Sequence, residues 1–166
     1  METTRQTTRE SKQYLTFNLE KELFAFEVLH VKEVLEVTRV TKVPKTPPFM
    51  AGVINLRGCV VPVIDLRLKF DLTCAEQNVD TAIIIVEVDS DGETLVIGAL
   101  VDAVREVVRF DASQIEAPPK VGMNISGEYI GSIGKKGNDF IIILDSANVF
   151  SQKELEYVKE DAQTNA

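Results

Sequence analysis

Apolar and polar residues begin to alternate at Tyr14. Leu15, Phe17 and Leu19 are separated by Thr16 and Asn18, and Phe24, Phe26 and Val28 alternate again after Glu20-Lys21-Glu22. Successive side chains of a strand point to opposite faces, so this stretch predicts a half-buried hairpin. The next ten residues fit two periods. Val28, Val31, Val34 and Leu35 suit a helix face, whereas Val31, Glu33, Leu35 and Val37 suit a strand. The valine and threonine density from Val31 to Val43 favours a short helical turn near Leu29-His30 followed by a strand. Pro44-Lys45-Thr46-Pro47-Pro48 stops that strand and makes a stiff crossing.

The stretch from Gly52 to Phe70 organises the rest. Val53-Ile54 leads into the turn Asn55-Leu56-Arg57-Gly58, and Cys59 to Ile64 is then almost wholly apolar. So short a run, rich in β-branched residues, predicts a strand covered on both faces. Pro62 has no N–H for a ladder and predicts a bulge or a local edge. Asp71 to Asp80 is a polar connection, and Thr81 to Val88 is a second apolar strand. Asp89 to Glu93 is a hairpin turn, and Thr94 to Val108 returns as strand material in which Gly98 marks a close approach or a bulge. Ala117-Pro118-Pro119-Lys120 forms a second stiff loop. Tyr129–Gly134 and Phe140–Asp145 form a last hairpin, and Ser151-Gln152-Lys153-Glu154 has the form of a capping box that starts a C-terminal helix.

A weak repeat runs through this pattern. Gly52-Val53-Ile54, a turn, an apolar strand, Ile64-Asp65-Leu66 and Phe70 line up with Gly131-Ser132-Ile133, a turn, Phe140–Ile143, Leu144-Asp145-Ser146 and Phe150. Two copies, with about ten short strands in all, predict two similar small β-barrels. Neither half holds enough apolar material to stand alone, so the barrels should share a core. The expected division is a tail over 1–13, subdomains over roughly 14–80 and 81–150, and a helix and tail over 151–166.

Composition narrows the functional classes. With 45% apolar and 27% charged residues the chain reads as globular, and its net charge of −8 disfavours nucleic acid and anionic membranes as partners. Residues 1–13 carry no apolar core of a secretory signal, and no apolar run is long enough to span a bilayer. Cys59 and Cys74 have no metal-ligand spacing. Both are expected to be reduced, with Cys59 a small core residue. Asp65, Asp102 and Asp145 each follow an apolar strand, where the plain reading is a turn cap. An acid-protease-like enzyme is the competing reading, and it needs Asp65 and Asp145 within about 3 Å of each other. His30, the single histidine, has no second histidine or cysteine near it and reads as structural. No nucleophile elbow or phosphate-cradling loop is present. What remains is binding along grooves and sheet edges.

The motifs NLRG, CVVPVIDLR with its following Phe70, FAFEVLHVKEVLEV, VPKTPPFMAGVINLRG, GALVDAVREVV and IILDSANVF together resemble the CheW family of chemotaxis coupling proteins, over nearly the whole chain. The resemblance implies two SH3-like five-stranded β-barrels sharing a hydrophobic core, without metal or cofactor. It also implies a non-catalytic cytoplasmic scaffold, free-standing because the chain ends after the module, that joins chemoreceptor tips to the histidine kinase CheA. By motif position Leu15, Val28, Val31 and Val104 line the receptor groove, with Glu33 and Arg57 as a charged pair beside it. The regulatory domain of the kinase is expected at two places, Asn55 and Arg57 in the NLRG turn and Ile115, Glu116 and Val121 in a second loop. Glu116 stands where relatives can carry a basic residue and Val121 where they can carry an aromatic one, which bears on that second contact. Arg57 is expected to brace Glu33.

Overall fold

The computed structural model describes residues 11–37, 39–74, 76–90, 92–119 and 127–150. The opening alternation forms β1 (Lys12–Leu19) and β2 (Glu22–Glu27), and a 3-10 turn over Val28–His30 leads into β3 (Val31–Glu36). Strands β4 (Met50–Leu56) and β5 (Cys59–Asp65) follow, and then α1 (Leu66–Lys69). Next come β6 (Ala82–Ser90), β7 (Glu93–Val101), β8 (Ala103–Phe110) and the two-residue β9 (Ile115–Glu116). The described chain closes with β10 (Ile130–Lys136), β11 (Asp139–Leu144) and α2 (Ser146–Val149). The helix expected from Ser151 lies outside the described residues.

The protein is mainly β, in two sheets. Their strand orders are β8-β1-β2-β11-β10-β9 and β3-β6-β7-β5-β4. Setting β9 aside, the two orders are the same topology: β10 and β11 take the places of β4 and β5, and each second strand of that hairpin lies parallel to its outer neighbour, β2 or β7. The first sheet therefore has six strands where five were expected, because the short β9 pairs with β10. Both sheets are curled. The first curls until β10 meets the edge strand β8, since Gly134 on β10 lies under the ring of Phe110 on β8. In the second, Thr41 exchanges backbone hydrogen bonds with Val53 of β4 at 2.9 and 2.8 Å, bringing the segment after β3 onto the far edge strand.

Three expectations need correction. The division near residue 80 does not follow the sheets: residues 31–101 form the five-stranded one, and the N-terminal hairpin joins the C-terminal strands through Phe24–Ile142 and Ala25–Ile143 pairing. Nothing local in the sequence encodes that long-range parallel pair. Thr94 to Val108 is not one strand either; it breaks at Asp102, where the chain crosses from the second sheet to the first. Finally, the opening strand of the repeat is shifted by one residue from its sequence alignment, while Asp65–Asp145 and Phe70–Phe150 stay as aligned. Each hairpin skips one residue of register, Ala51 in one and Gly131 in the other, and Ala51–Gly131, Ile54–Gly134, Asp65–Asp145 and Phe70–Phe150 then share one spacing. Pro62 lies where pairing with β7 has not yet begun, since that ladder starts at Val63, so its missing N–H costs nothing.

Apolar residues form three clusters. Tyr14, Ala25, Val108, Phe110, Ile141 and Ile143 fill the first barrel, and Ile54, Val61, Val63, Ile83 and Ile85 fill the second. The largest cluster lies between them and holds Phe17, Phe24, Phe26 and Phe150, none more than 1% exposed. Each such ring contributes about 1.5–3 kcal/mol by leaving water, so separating the barrels would expose more apolar surface than either could lose and stay folded.

Candidate functional site: an apolar seam beside an ion pair

Where the sheets meet, Leu15, Val28, Val31 and Val104 belong to the same cluster; Leu15 is buried, and the three valines are half covered at its rim. They come from four elements: β1, the 3-10 turn, β3 and β8. Val104 pairs with Phe17 on β1 and Val31 with Val86 on β6, so both barrels contribute. Leu29, 80% exposed, stands next to Val28 in the turn. A half-covered apolar strip of this kind can take the apolar face of a helix.

Beside the strip stands the expected charged pair. Arg57 Nη1 and Nη2 donate to Glu33 Oε2 and Oε1 at 2.7 and 2.8 Å. The two-residue turn Arg57-Gly58 has φ of 53° and 87°, the combination that matches the twist of flanking antiparallel strands. Asn55 Oδ1 accepts the Gly58 N–H at 2.8 Å and holds that turn. The fork geometry fixes both side chains, although Arg57 remains largely exposed. The hydrogen bond from Arg57 holds the Glu33 carboxyl below its ordinary 4.5, with the charges of Arg57 and Lys32 adding to it against partial desolvation.

The other expected contact residues lie on the first barrel. Ile115 packs half-buried on its interior, and Glu116 is exposed and ion-paired with Lys135. Both stand on β9, away from Asn55 and Arg57 on the second barrel, so these residues form two separate surfaces. Val121 lies outside the described residues. Each surface carries an exposed apolar side chain at the same place in the repeat, Val60 on β5 (52%) and Phe140 on β11 (62%). An open cleft of about 520 Å³ runs from Phe140 to Pro119 and Glu116.

The aspartates resolve differently from one another. Asp65 and Asp145 cap the short helices, accepting the N–H of Arg67 at 3.0 Å and of Ala147 at 3.1 Å. Each carboxylate is occupied by its own helix, which is not the shared-proton geometry an acid protease needs. Asp102 is no turn cap. It accepts from Arg67 Nη1 at 2.9 Å, and Arg67, buried at 6%, also donates through Nε and Nη2 to Asp65 at 3.0 Å each. The sequence reading missed Arg67, whose one signal was an arginine inside the apolar run Ile64-Asp65-Leu66-Arg67-Leu68. Cys59 is exposed, not core, because it opens β5 immediately after the turn. His30 ends the 3-10 turn at the surface. Among the described residues no group of three or more His, Cys, Asp or Glu is placed to hold a metal ion, and no helix is long and apolar enough to cross a membrane.

Comparison with known proteins decides the family: the CheW-like domain matches residues 13–154. The chain belongs to the CheW family of chemotaxis coupling proteins. It is 31% identical to the chemotaxis protein CheW of Klebsiella aerogenes, over 93% of this chain and 90% of that one. With the chemotaxis protein CheW of Bacillus subtilis it shares 32% identity, over 84% and 86% of the two chains. The crystal structure of the scaffolding protein TtCheW from Thermoanaerobacter tengcongensis is similar to it, with a TM-score of 0.77 and 37% identity over 86% of this chain and 94% of that one.

Proposed function

We propose that this CheW-family protein is a non-catalytic cytoplasmic scaffold that holds chemoreceptor tips and the histidine kinase CheA in register. The observation that carries this reading is that Leu15, Val28, Val31 and Val104, from both barrels, pack on the one cluster between them, with an ordered Glu33–Arg57 pair on β3 and the β4–β5 turn. A receptor tip is a helical hairpin, and an amphipathic face of it fits a strip that is apolar along its length and charged at one end. The regulatory domain of the kinase meets the two remaining surfaces, one around Asn55 and Arg57 and the other around Ile115, Glu116 and Val121. Signal passes by differential contact: a shift in the tip changes which arrangement of the bound kinase is favoured. Similarity to proteins named as chemotaxis and scaffolding proteins supports this role.

Co-sedimentation with receptor-containing membranes, with and without the kinase, tests it. Val31→Asp and Val104→Asp should each abolish receptor association while leaving kinase binding within about twofold, because a charge in a desolvated apolar contact is costly. Retention of receptor binding by both variants would overturn the assignment of the strip.

A further inference from the structure

Arg67 is one of five residues described as buried that carry polar or charged side chains, and it reaches across the molecule. Its guanidinium joins Asp65, at the start of α1, to Asp102, at the crossover between β7 and β8. Asp102 Oδ2 in turn accepts the backbone N–H of Glu20 at 2.7 Å, and the Asp102 N–H donates to the carbonyl of Asn18 at 3.1 Å. Glu20 Oε2 accepts the N–H of Thr73 at 2.7 Å, beyond α1. One side chain on the second barrel therefore pins the β1–β2 turn of the first and the start of β8. Val104 is the second residue of β8, two after Asp102, and lies opposite Phe17 on β1.

We propose that Arg67 is a positioning residue for the apolar seam: through Asp102 it sets where Val104 stands relative to Val31 on the other barrel, and so the width of the strip that takes a helical partner. The proposal rests on the reading of that strip as the receptor site. Its physical basis is the difference between a fork and a point charge. A planar guanidinium bonded to two carboxylates fixes direction as well as distance, whereas a point charge fixes distance alone. Paired carboxylates raise the Arg67 side chain further above its already high ordinary value, the hydrogen bonds it donates to Asp65 being the largest cause, so the cation is permanent at every working pH. The device is static. It places Val104 without titrating.

The full-length chain with Asp102→Asn tests this, since the substitution keeps the shape and the Glu20 acceptor but removes the charge that orients Arg67. In the protein alone, methyl NMR should show the Val104 resonances displaced and those of Val60, on the far hairpin, unmoved. Affinity for a chemoreceptor tip fragment should fall about tenfold, the usual effect of displacing a packed anchor, with kinase regulatory-domain affinity within twofold. Arg67→Lys, which keeps the charge and loses the fork, should fall between the two. Unmoved Val104 methyls would overturn the proposal, as would an equal loss of both affinities, which marks a merely structural role. Displaced Val104 methyls in a chain whose wild type binds no tip fragment would uphold the positioning and sink the receptor reading instead.

Discussion

The two barrels share a topology and differ in how each is filled and closed. In the second, Ile54 on β4 fills the interior, and the equivalent place in the first is Gly134, over which Phe110 reaches from β8. The second is closed between its edges by the Thr41–Val53 bridge and by the two-bonded Arg57–Glu33 pair. The first has the Lys136–Glu106 contact in the corresponding place among the described residues, and its mouth there is an open cleft of about 840 Å³. The helices differ as well. Arg67 on α1 has Ala147 as its counterpart on α2. The lesson is that a repeated skeleton constrains strand order, while the choice of filling and closing residues decides how each copy is packed and shut.

The largest expected effect follows from the unmatched arginine. Arg67→Ala leaves Asp65 and Asp102 buried without their counter-ion, a change that costs about 3–5 kcal/mol. Ala147→Gly at the equivalent place should cost about 1 kcal/mol or less. Urea unfolding of the two variants measures the difference, and equal midpoints would erase the distinction between the helices.

Filling comes next. Ile54→Ala opens a cavity in the second barrel and should cost about 2–5 kcal/mol. Gly134→Ala puts a methyl against the Phe110 ring in the first, an overpacking worth about 1–3 kcal/mol. Combining Gly134→Ala with Phe110→Leu should cost less than the sum of the two, because the neighbour that clashes has been shortened. Strict additivity in thermal unfolding would show that the ring does not pack over Gly134.

Closure gives smaller effects, readable as exchange rates. Arg57→Ala should speed amide exchange along β4 and β3 and weaken receptor association, since the fork is lost. Lys136→Ala should leave receptor association unchanged. A double-mutant cycle of Arg57 with Glu33, read as receptor affinity, separates a brace from two independent charges: additive losses would count against the brace.

The smallest is a pH effect. Glu33 and Glu106 are both held below 4.5, each chiefly by a hydrogen bond from its cation. A carboxylate whose folded value is depressed contributes stability above its unfolded value, and that contribution disappears as pH falls through the folded one. Both pairs should therefore be intact above pH 4.5 and release below it, as NMR of the two carboxyl carbons would follow. In the opposite direction, burial pushes the Lys69 amine down to about 8, against the charge of Glu128; the amine lies over the rings of Phe49 and Tyr129. Titration of Lys69 near 10.5 would show that the site is wetter than the packing indicates.

Much of the site was legible in the chain. Valine density separated the 3-10 turn from β3, and the Asn55–Gly58 turn announced the position of Arg57; alternation found β1 but read it as half-buried, whereas Tyr14 to Phe17 are buried on both faces because the strand lies between the barrel interior and the shared core. Cys59 was misread because apolar neighbours were taken to imply burial, whereas its place at the barrel end depends on where the turn falls. Arg67 went unseen because an arginine after an aspartate has the same local pattern whether it faces water or a second carboxylate 35 positions away.

Local chemistry in the chain alone determined the strands, the hairpins, the turn residues and the existence of a repeat, because alternation, β-branching and backbone freedom act over a few residues. Only the tertiary structure decided which strands share a barrel, that β2 lies along β11, and that Asp102 belongs to a buried ion network. Those outcomes depend on pairings between residues far apart in the chain, and their energy exists only once the intervening segments have closed.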